Sequence, residues 1–464
     1  MISLGIDFGT SNSAAAVIQN GTAVDITFDG NSFFPTCLYR RKRGGYKVGF
    51  DAIRSYMEDN VGQRSNFERR SLGRSIDMEI IPGESVATQL GIKEEAMTVS
   101  VPVHTVVDTA SKGRFFKSLK TALRYPSLTQ VTVFDETVAV FRLLEQFFRA
   151  IKKAAEKQMK DTAADIVIGM PVIIEQTPKL KRHYERVITV AARESGFREV
   201  SFAMEPVAAA KECSRSLSDG TALVFDFGGG TLDLSVLRIV SHDVEVLANR
   251  GLLLGGDDYD KEIQKLIHPL LGKGSFTRSI GGVHRDMPAV IFDKLLTLDG
   301  ILELSHASYD TILKEIKFSC ENSEAGIALY RLVKENYGYP FLRACESAKM
   351  HLSKELSAPF SCSFGESRIH RMIERHEFEH AIAESLTDIA GVIRAVLSDA
   401  HVTADDIDSV IPVGGSTQVP AVQKILADIF GEQRMKHVDL YTSISRGLAA
   451  IAQERYGVMA QGLQ

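Results

Sequence analysis

The sequence contains no tryptophan, and only five of its 464 residues are cysteine. The cysteines are odd in number and widely spaced, with no C-x-x-C pair, so neither a disulfide framework nor a zinc knuckle is expected. The sequence also lacks an apolar run long enough to cross a bilayer and the N-terminal pattern of a secretory signal. These absences predict a protein of the reducing cytoplasm.

A surplus of positive charge is missing too. Lys and Arg number 54 against 59 Asp and Glu, which leaves a net charge of -5. Such a chain has no overall basic field to attract nucleic acid or anionic lipid, so we expect neither nucleic acid nor a membrane as a partner. The hydrophobic content of 44% and charged content of 24% are typical of a globular protein with two or more packed units.

An internal echo is the most informative pattern present. The segment Leu4–Ser13 (LGIDFGTSNS) recurs in altered form as Leu223–Asp233 (LVFDFGGGTLD). Each copy has an apolar run ending in Asp, then Gly and small hydroxyl residues, then a second apolar run, which indicates a strand, a tight turn and a returning strand. Two such units far apart predict a duplicated architecture.

Helical periodicity marks several stretches outside the echo, for example 140–151 and 378–393. Hairpins separated by such helices predict an α/β fold of mixed sheets flanked by helices in two lobes. Three further stretches, about 75–110, 126–135 and the Gly-rich span 272–282, fit this arrangement less easily and are predicted to be loops or inserts.

The two turns carry the chemistry. Glycines let backbone N–H groups approach a phosphate closely, and Thr and Ser hydroxyls add donors. A carboxylate repels phosphate unless a cation intervenes, so Asp7 and Asp226 are predicted to face each other across the lobe interface and hold Mg²⁺ through water. One D-x-G-T alone is weak evidence, because Gly and Asp occur in turns of every kind. The pair of turns makes the functional interpretation much stronger.

These motifs resemble those of the DnaK-type, seventy-kilodalton heat-shock chaperones, and the chain as a whole resembles the short YegD-like members of that family. The resemblance implies the ribonuclease H-like fold of the two-lobed actin-like ATPase superfamily. Four further segments resemble family segments in the family's order: Glu205–Ala210 (EPVAAA), Leu254–Asp260 (LGGDDYD), Leu342–Ser353 (LRACESAKMHLS) and Val413–Thr417 (VGGST).

The resemblance implies roles for the matched positions, with ATP or ADP and Mg²⁺ as cofactors. Asp7 and Asp226 would lie at the metal ion. The catalytic set would be Glu205, Arg69, Asp226 and Thr231. The phosphates would be bound by Gly9, Thr10, Ser11, Asn12, Gly228, Gly229, Gly230 and Thr231. The nucleoside would be bound by Glu346, Lys349, Ser353, Gly414, Gly415 and Ser416.

Three positions depart from the family pattern. Arg69, before Leu72-Gly73-Arg74, aligns with a lysine that lies near the terminal phosphate, and a planar guanidinium does not replace an ammonium group in position-sensitive chemistry. We expect hydrolysis to be slow for this reason. Met350 and Gln418 align with two arginines that sandwich adenine, so the cation–π contribution to base binding is lost.

The resemblance also implies a division of the chain. Residues 1–220 and 441–464 would form lobe I, and residues 221–440 lobe II, with an insert at about 265–340. The chain ends 17 residues after Gly447, so no peptide-binding domain is expected.

The expected function is that of an ATP-binding, chaperone-like protein in which slow Mg²⁺-dependent hydrolysis is coupled to lobe closure. Its partner would be the nucleotide, with a client or regulatory protein as a further one. Two alternatives stay open: a small-molecule kinase of the same superfamily and an actin-like filament subunit. His376–His380 (HEFEH) matches the zinc-protease pattern H-E-x-x-H, but the helical period places both histidines outward, which indicates a solvated helix face.

Overall fold

The computed structural model describes residues 1–80, 97–108, 110–117, 119–134, 136–214, 217–241, 243–278, 284–436 and 439–461, with the backbone alone for 67–80, 97–108 and 458–461. The strands are Ile2–Phe8 (β1), Asn12–Gln19 (β2), Thr22–Asp25 (β3), Phe33–Pro35 (β4), Cys37–Arg41 (β5), Tyr46–Val48 (β6), Phe67–Ile80 (β7), Met97–Asp108 (β8), Gly113–Lys117 (β9), Gln130–Val133 (β10), Glu136–Ala139 (β11), Ala163–Met170 (β12), Glu199–Met204 (β13), Gly220–Phe227 (β14), Leu232–Val240 (β15), Asp243–Leu252 (β16), Phe276–Arg278 (β17), His284–Asp286 (β18), Ser357–Phe364 (β19), Ser367–Glu374 (β20) and Ser409–Val413 (β21).

Helices connect and cover these strands. They are Phe50–Asn60 (α1), Leu119–Ala122 (α2), Val140–Met159 (α3), Val172–Glu175 (α4), Pro178–Glu194 (α5), Glu205–Cys213 (α6), Gly256–Ile267 (α7), Ala289–Leu295 (α8), Leu298–Leu304 (α9), Asp310–Ser319 (α10), Ser323–Lys334 (α11), Gly338–Leu352 (α12), Arg375–Ala381 (α13), Ala383–Asp399 (α14), Pro420–Phe430 (α15) and Ser443–Gln461 (α16). Within the described ranges, no helix is both long and apolar enough to span a bilayer.

Two sheets repeat one topology. The first runs in the order β13-β12-β1-β2-β3, with β4 also paired to β2, and the second runs β16-β15-β14-β21. In each sheet, a strand from the echo pairs antiparallel with its returning strand and parallel with a later strand. Asp7 lies opposite Ala14, and Asp226 lies opposite Asp233, at the same end of the two hairpins. The predicted duplication is therefore present in the fold.

Helices α6 and α16 pack between the two sheets. Ala208 and Leu448 share an apolar cluster with Val224 and Ile411 of the second sheet. The approach is close enough to require glycine: a Cβ on Gly447 would lie 1.8 Å from the carbonyl oxygen of Ala208. This tight core sets the spacing of the two sheets and therefore the width of the cleft between them.

All three predicted loops contain strands. Residues 67–80 and 97–108 pair as an antiparallel ribbon, and 130–133 pairs with 136–139. In β8, Met97, Val99, Val101 and Val103 alternate with Thr98, Ser100, Pro102 and His104, so a period-two signal for a strand was present in the sequence and was overlooked. In the third stretch, Phe276–Arg278 pairs with His284–Asp286. The helix predicted at 378–393 is broken at Ile382, which has φ −96° and ψ 5° between α13 and α14.

Candidate functional site

A cavity of about 360 Å³ lies between the two sheets, at the ends of the strands that carry Asp7 and Asp226. This volume falls within the usual range for small-molecule sites. Apart from Arg69, every site residue expected from the sequence lines it: Asp7, Gly9, Thr10, Ser11, Asn12, Glu205, Asp226, Gly228, Gly229, Gly230, Thr231, Glu346, Lys349, Ser353, Gly414, Gly415 and Ser416. The side chain of Arg69 lies outside the described residues.

The two echo turns lie against each other at the floor of the cavity. A Cβ on Gly229 would lie 2.3 Å from the Ser11 hydroxyl oxygen, and a Cβ on Gly230 would lie 3.0 Å from the Thr10 hydroxyl oxygen. The N–H of Gly228 closes its turn by donating to the Thr231 carbonyl at 3.0 Å. A larger residue at position 229 or 230 would push the two turns apart, so Gly229 and Gly230 allow the turns to stay in contact.

The Gly228–Gly230 turn is braced from behind by two other segments. Its carbonyl at Gly228 accepts the Gly256 N–H at 2.9 Å and the Ser416 hydroxyl at 3.0 Å. The Asp257 N–H donates to the Gly229 carbonyl at 2.8 Å, while the Asp257 carboxylate accepts the Ser11 hydroxyl at 3.2 Å. These bonds join both echo turns to the start of α7.

Carboxylates crowd the floor of the cavity. Burial raises the pKa of Asp7 to about 7; Glu205 raises it further and Lys120 opposes the shift. Burial, followed by Glu205, Asp233 and Asp7, raises the pKa of Asp226 well above its usual value. Burial and Glu205 raise the pKa of Asp233 to about 7. Their charged forms are disfavoured because like charges are held together away from water.

Among the residues whose side chains are described, Lys120 supplies a positive charge at this end of the cavity. Its Nζ lies 2.8 Å from Oε1 of Glu205, and both side chains are buried. Burial lowers the pKa of Lys120, but Glu205, Tyr184 and Asp7 raise it above its usual value. Lys120 was not predicted from the sequence. The available signal was weak: a lysine between Leu119 and Leu123, both of which are buried.

The charge pattern fits a bound divalent cation. Among the described residues, the carboxylates of Asp7, Glu205 and Asp226 line the cavity floor beside the Lys120 ammonium group, and Asp233 is buried next to Asp226. An added positive charge would favour the ionised forms of these carboxylates. Among the described residues, no group of three or more His, Cys, Asp or Glu side chains is arranged to ligate a metal directly. A hydrated Mg²⁺, which keeps several water ligands, suits such a site.

His376 and His380 are exposed, in agreement with a solvated helix face.

The opposite end of the cavity is built on α12. Glu346, Lys349 and Ser353 follow one another at helical spacing on the face that lines the cavity. Lys349 Nζ lies 2.8 Å from Oδ1 of Asp260 and donates to the Gly256 carbonyl at 2.8 Å. Burial lowers the pKa of Lys349, but the Asp260 carboxylate raises it, and the net shift is upward.

The turn at Gly414 completes this end. Gly414 has φ +85°, and a Cβ there would lie 2.5 Å from the Phe227 carbonyl oxygen, so both the conformation and the space favour glycine. Met350 and Gln418, the residues that replace the expected arginines, also line the cavity. This end is therefore polar at α12 and the Gly414 turn, without an arginine at either of those two positions.

Comparison with known proteins decides the family. The family model described as "Hsp70 protein" matches residues 117–275 and 318–460, more than half of the chain. The chain belongs to the Hsp70 family. The first matched segment begins at Lys117, three residues before Lys120. Membership implies the two-lobed actin-like ATPase fold, which agrees with the repeated sheets flanked by helices. Hsp70 proteins in general bind ATP and ADP with Mg²⁺.

Individual relatives are distant but align over almost the whole chain. A chaperone protein HscA homolog of Verminephrobacter eiseniae is 24% identical over 459 residues, which cover 98% of this chain and 59% of that protein. The chaperone protein dnaK of Cyanidioschyzon merolae is 26% identical over 98% of this chain and 62% of its own length. Heat shock 70 kDa protein 6, chloroplastic, of Arabidopsis thaliana is 26% identical, with 52% of its length covered. The chain thus spans less than two thirds of these relatives.

Proposed function

We propose that this Hsp70-family chain binds Mg·ATP in the cleft between its lobes and hydrolyses it slowly, with hydrolysis coupled to lobe closure. The observation that carries the proposal is the convergence of both echo turns, the Glu205–Lys120 pair and the α12 residues on one cavity. Two glycine-rich turns in contact offer backbone donors to a chain of phosphates, and α12 with the Gly414 turn offers polar groups to a nucleoside.

We assign the hydrolytic step to the floor of the cavity. Asp7 and Asp226 would hold Mg²⁺ through water, and the ion would supply positive charge to the phosphate oxygens. Glu205 would orient a water molecule for in-line attack on the terminal phosphorus and accept its proton, while the bond to the ADP oxygen breaks. Lys120 holds the Glu205 carboxylate in place. The phosphates would be positioned by the two turns, one of which contains Thr10, Ser11 and Asn12 and the other Thr231.

Two further assignments belong to this proposal. We place residues 1–220 and 441–464 in lobe I and residues 221–440 in lobe II, with an insert at about 265–340; the separation of the first and second sheets supports this division. We also propose that the nucleotide-dependent closure is read by a client or regulatory protein. A cytoplasmic setting remains a prediction.

Calorimetry with Mg·ATP and Mg·ADP tests the proposal directly. Gly229→Ala should weaken binding, because its Cβ would lie 2.3 Å from the Ser11 hydroxyl oxygen and push the turns apart. Gly45→Ala is the matched control, since a Cβ there meets no atom within 4 Å. If the unaltered protein gives neither heat nor a thermal shift at millimolar nucleotide, the proposed function is wrong.

The alternatives are separable by experiment. In a small-molecule kinase the insert would shape a substrate pocket, but none of the described residues between 265 and 340 lines the cavity. Phosphate transfer to a sugar or carboxylate library would nevertheless favour the kinase. Sedimentation with and without ATP tests the filament subunit, which a monomer under both conditions contradicts.

A further inference from the structure

An aromatic pair lines the nucleoside end of the cavity and has no role in the mechanism above. The rings of Phe33 and Tyr441 stack with centroids 4.5 Å apart and planes 20° apart. Phe33 begins β4, and Tyr441 lies just before α16. Both residues line the cavity, so the pair forms part of its wall.

The hydroxyl of Tyr441 lies at the groups assigned to the nucleoside. A Cβ on Gly415 would lie 3.1 Å from the Tyr441 hydroxyl oxygen, which places the hydroxyl against the Gly414-Gly415 turn. Burial raises the pKa of Tyr441, Lys349 lowers it and Glu346 raises it, so both α12 residues are close enough to act on this hydroxyl. Its pKa remains above the usual value, and the hydroxyl therefore stays protonated and able to donate near neutral pH.

The position of this tyrosine is fixed by its backbone as well as by Phe33. The Asp439 carboxylate accepts the N–H groups of Tyr441 and Thr442, each at 3.0 Å. The Gly414 N–H donates to the Leu440 carbonyl at 3.1 Å, which ties the tyrosine to the same turn that its hydroxyl approaches. A side chain held in this way binds a ligand without first being ordered.

The two charged side chains of α12 at this end of the cavity already have charged partners. Lys349 is paired with Asp260, and Glu346 is paired with Arg343 at 2.6 Å. Met350, about half exposed, adds only an apolar surface. The Tyr441 hydroxyl is thus a neutral donor and acceptor beside these two ion-paired residues, and a sugar hydroxyl is the part of a nucleotide that matches such a group.

We propose that Tyr441 is a nucleoside-recognition residue whose hydroxyl hydrogen-bonds to the sugar of the bound nucleotide, while Phe33 sets the plane of its ring. The inference rests on the proposed nucleotide binding and adds to it the group that distinguishes a ribonucleotide from its deoxy analogues. Because Phe33 and Tyr441 belong to the first-lobe segments and Glu346 and Lys349 to α12, the sugar would be bound from both sides of the cleft.

The test compares Tyr441→Phe with the unaltered protein in calorimetric titrations with Mg·ATP, Mg·2′-deoxy-ATP and Mg·3′-deoxy-ATP. Removing one neutral hydrogen bond should weaken Mg·ATP binding roughly three- to tenfold. The analogue that lacks the bonded hydroxyl should bind both proteins equally. Phe33→Leu, which keeps the hydroxyl but releases the ring, should show an intermediate loss. Tyr456→Phe is the matched control, since its hydroxyl bonds to Ser201 outside the cavity.

Any of three other outcomes would overturn the proposed role of Tyr441. Equal Mg·ATP affinity in Tyr441→Phe and the unaltered protein would show that the hydroxyl does not touch the nucleotide. An equal loss for ATP and both deoxy analogues would place its contact on a phosphate or on the protein. If the unaltered protein binds no nucleotide at all, the proposed function fails together with the inference, whereas the first two outcomes leave nucleotide binding intact.

Discussion

The ring of Tyr339 meets the ring of Phe115 edge-on, with centroids 5.1 Å apart and planes at 67°. Tyr56 completes the cluster, 5.9 Å from Tyr339 and stacked on Phe115 at 4.9 Å. All three side chains are buried. Tyr339 lies in the first turn of α12, whereas Phe115 and Tyr56 belong to β9 and α1, in the segment proposed as lobe I. We call these three residues the aromatic latch, because they join α12 to β9 and α1.

Hydrogen bonds extend the latch along the same edge. The Gly62 N–H donates to the Glu335 carbonyl at 2.9 Å, and the Ser65 N–H donates to the Lys334 carbonyl at 3.1 Å. The Asn336 side-chain amide donates to the Gln63 carbonyl at 2.9 Å. Since α12 also carries Glu346 and Lys349, swinging this helix away from the cavity requires that the latch opens.

Tyr339→Ala should speed nucleotide release. One aromatic pair contributes about 0.5–1.5 kcal/mol beyond its buried area, and the loss of two such contacts should raise the dissociation rate at least about fivefold, since 1.4 kcal/mol is tenfold. Stopped-flow chase of a fluorescent ATP analogue measures this rate. Phe318→Ala, which removes an aromatic ring that is 78% exposed, is the control. An unchanged release rate in Tyr339→Ala would mean that the latch does not hold the lobes closed.

Asp226→Asn should abolish Mg²⁺-dependent turnover and leave the fold intact. The change removes a charge from the proposed metal site and keeps the shape of the side chain. In the metal-free protein it also removes the repulsion between the Asp226 carboxylate and those of Asp7, Glu205 and Asp233. We therefore expect the thermal midpoint of the ligand-free protein to stay level or rise, while Mg·ATP binding weakens. Asp388→Asn, at an exposed position, serves as the control. Turnover equal to that of the unaltered protein would contradict the metal assignment.

The stability of the metal-free protein should fall as pH rises from about 4 to about 7. Burial raises the pKa of Asp233 to about 7, against about 3.9 in an unfolded chain. The folded state therefore binds this proton more tightly, and the stabilisation, complete below pH of about 4, is lost as pH rises through the folded pKa. Urea midpoints measured in EDTA across this range should vary less in Asp233→Asn. Asp428→Asn, in an exposed ion pair with Lys424, should keep the original pH dependence.

The echo turns could be predicted because their signal is local. Asp7 and Asp226 each end an apolar strand and precede a glycine-containing turn within a few residues, so the sequence itself contains the whole pattern. The contacts that complete the site are not local. Lys120 and Glu205 are 85 residues apart in the chain, and the partners of Tyr441 and Tyr339 are more distant still. Nothing in a single sequence marks such pairs, since they arise only when distant segments of the chain pack together.

The break at Ile382 illustrates a different limit. Phe378, Ile389 and Ile393 are all buried, as the helical period predicts. The period is set by the face that packs against the core, and it continues across a one-residue interruption when the following helix resumes with its apolar face inward. The spacing of the apolar residues therefore predicted correctly which side chains are buried, but it predicted one continuous helix where there are two.

Lys120 and Arg69 are competing candidates for the positive charge that hydrolysis requires. From the sequence alone, Arg69 is expected to slow hydrolysis, and Arg69→Lys to raise the single-turnover rate about tenfold for each 1.4 kcal/mol recovered. The buried contact between Lys120 and Glu205 supports Lys120 instead. We expect Lys120→Met to lower the single-turnover rate at least about 100-fold, the usual loss when one preorganised donor is removed. Arg69→Met should leave the rate within about twofold.

A structural effect of Lys120→Met must be separated from a catalytic one. Breaking a buried ion pair by removing one partner destabilises a protein by about 3–5 kcal/mol, because the other charge is left uncompensated. The double variant Lys120→Met with Glu205→Gln should recover part of the free energy of unfolding but none of the rate, since both groups act in the proposed step. If the rate instead falls in Arg69→Met and persists in Lys120→Met, then Arg69 supplies the charge and the Glu205–Lys120 pair is structural.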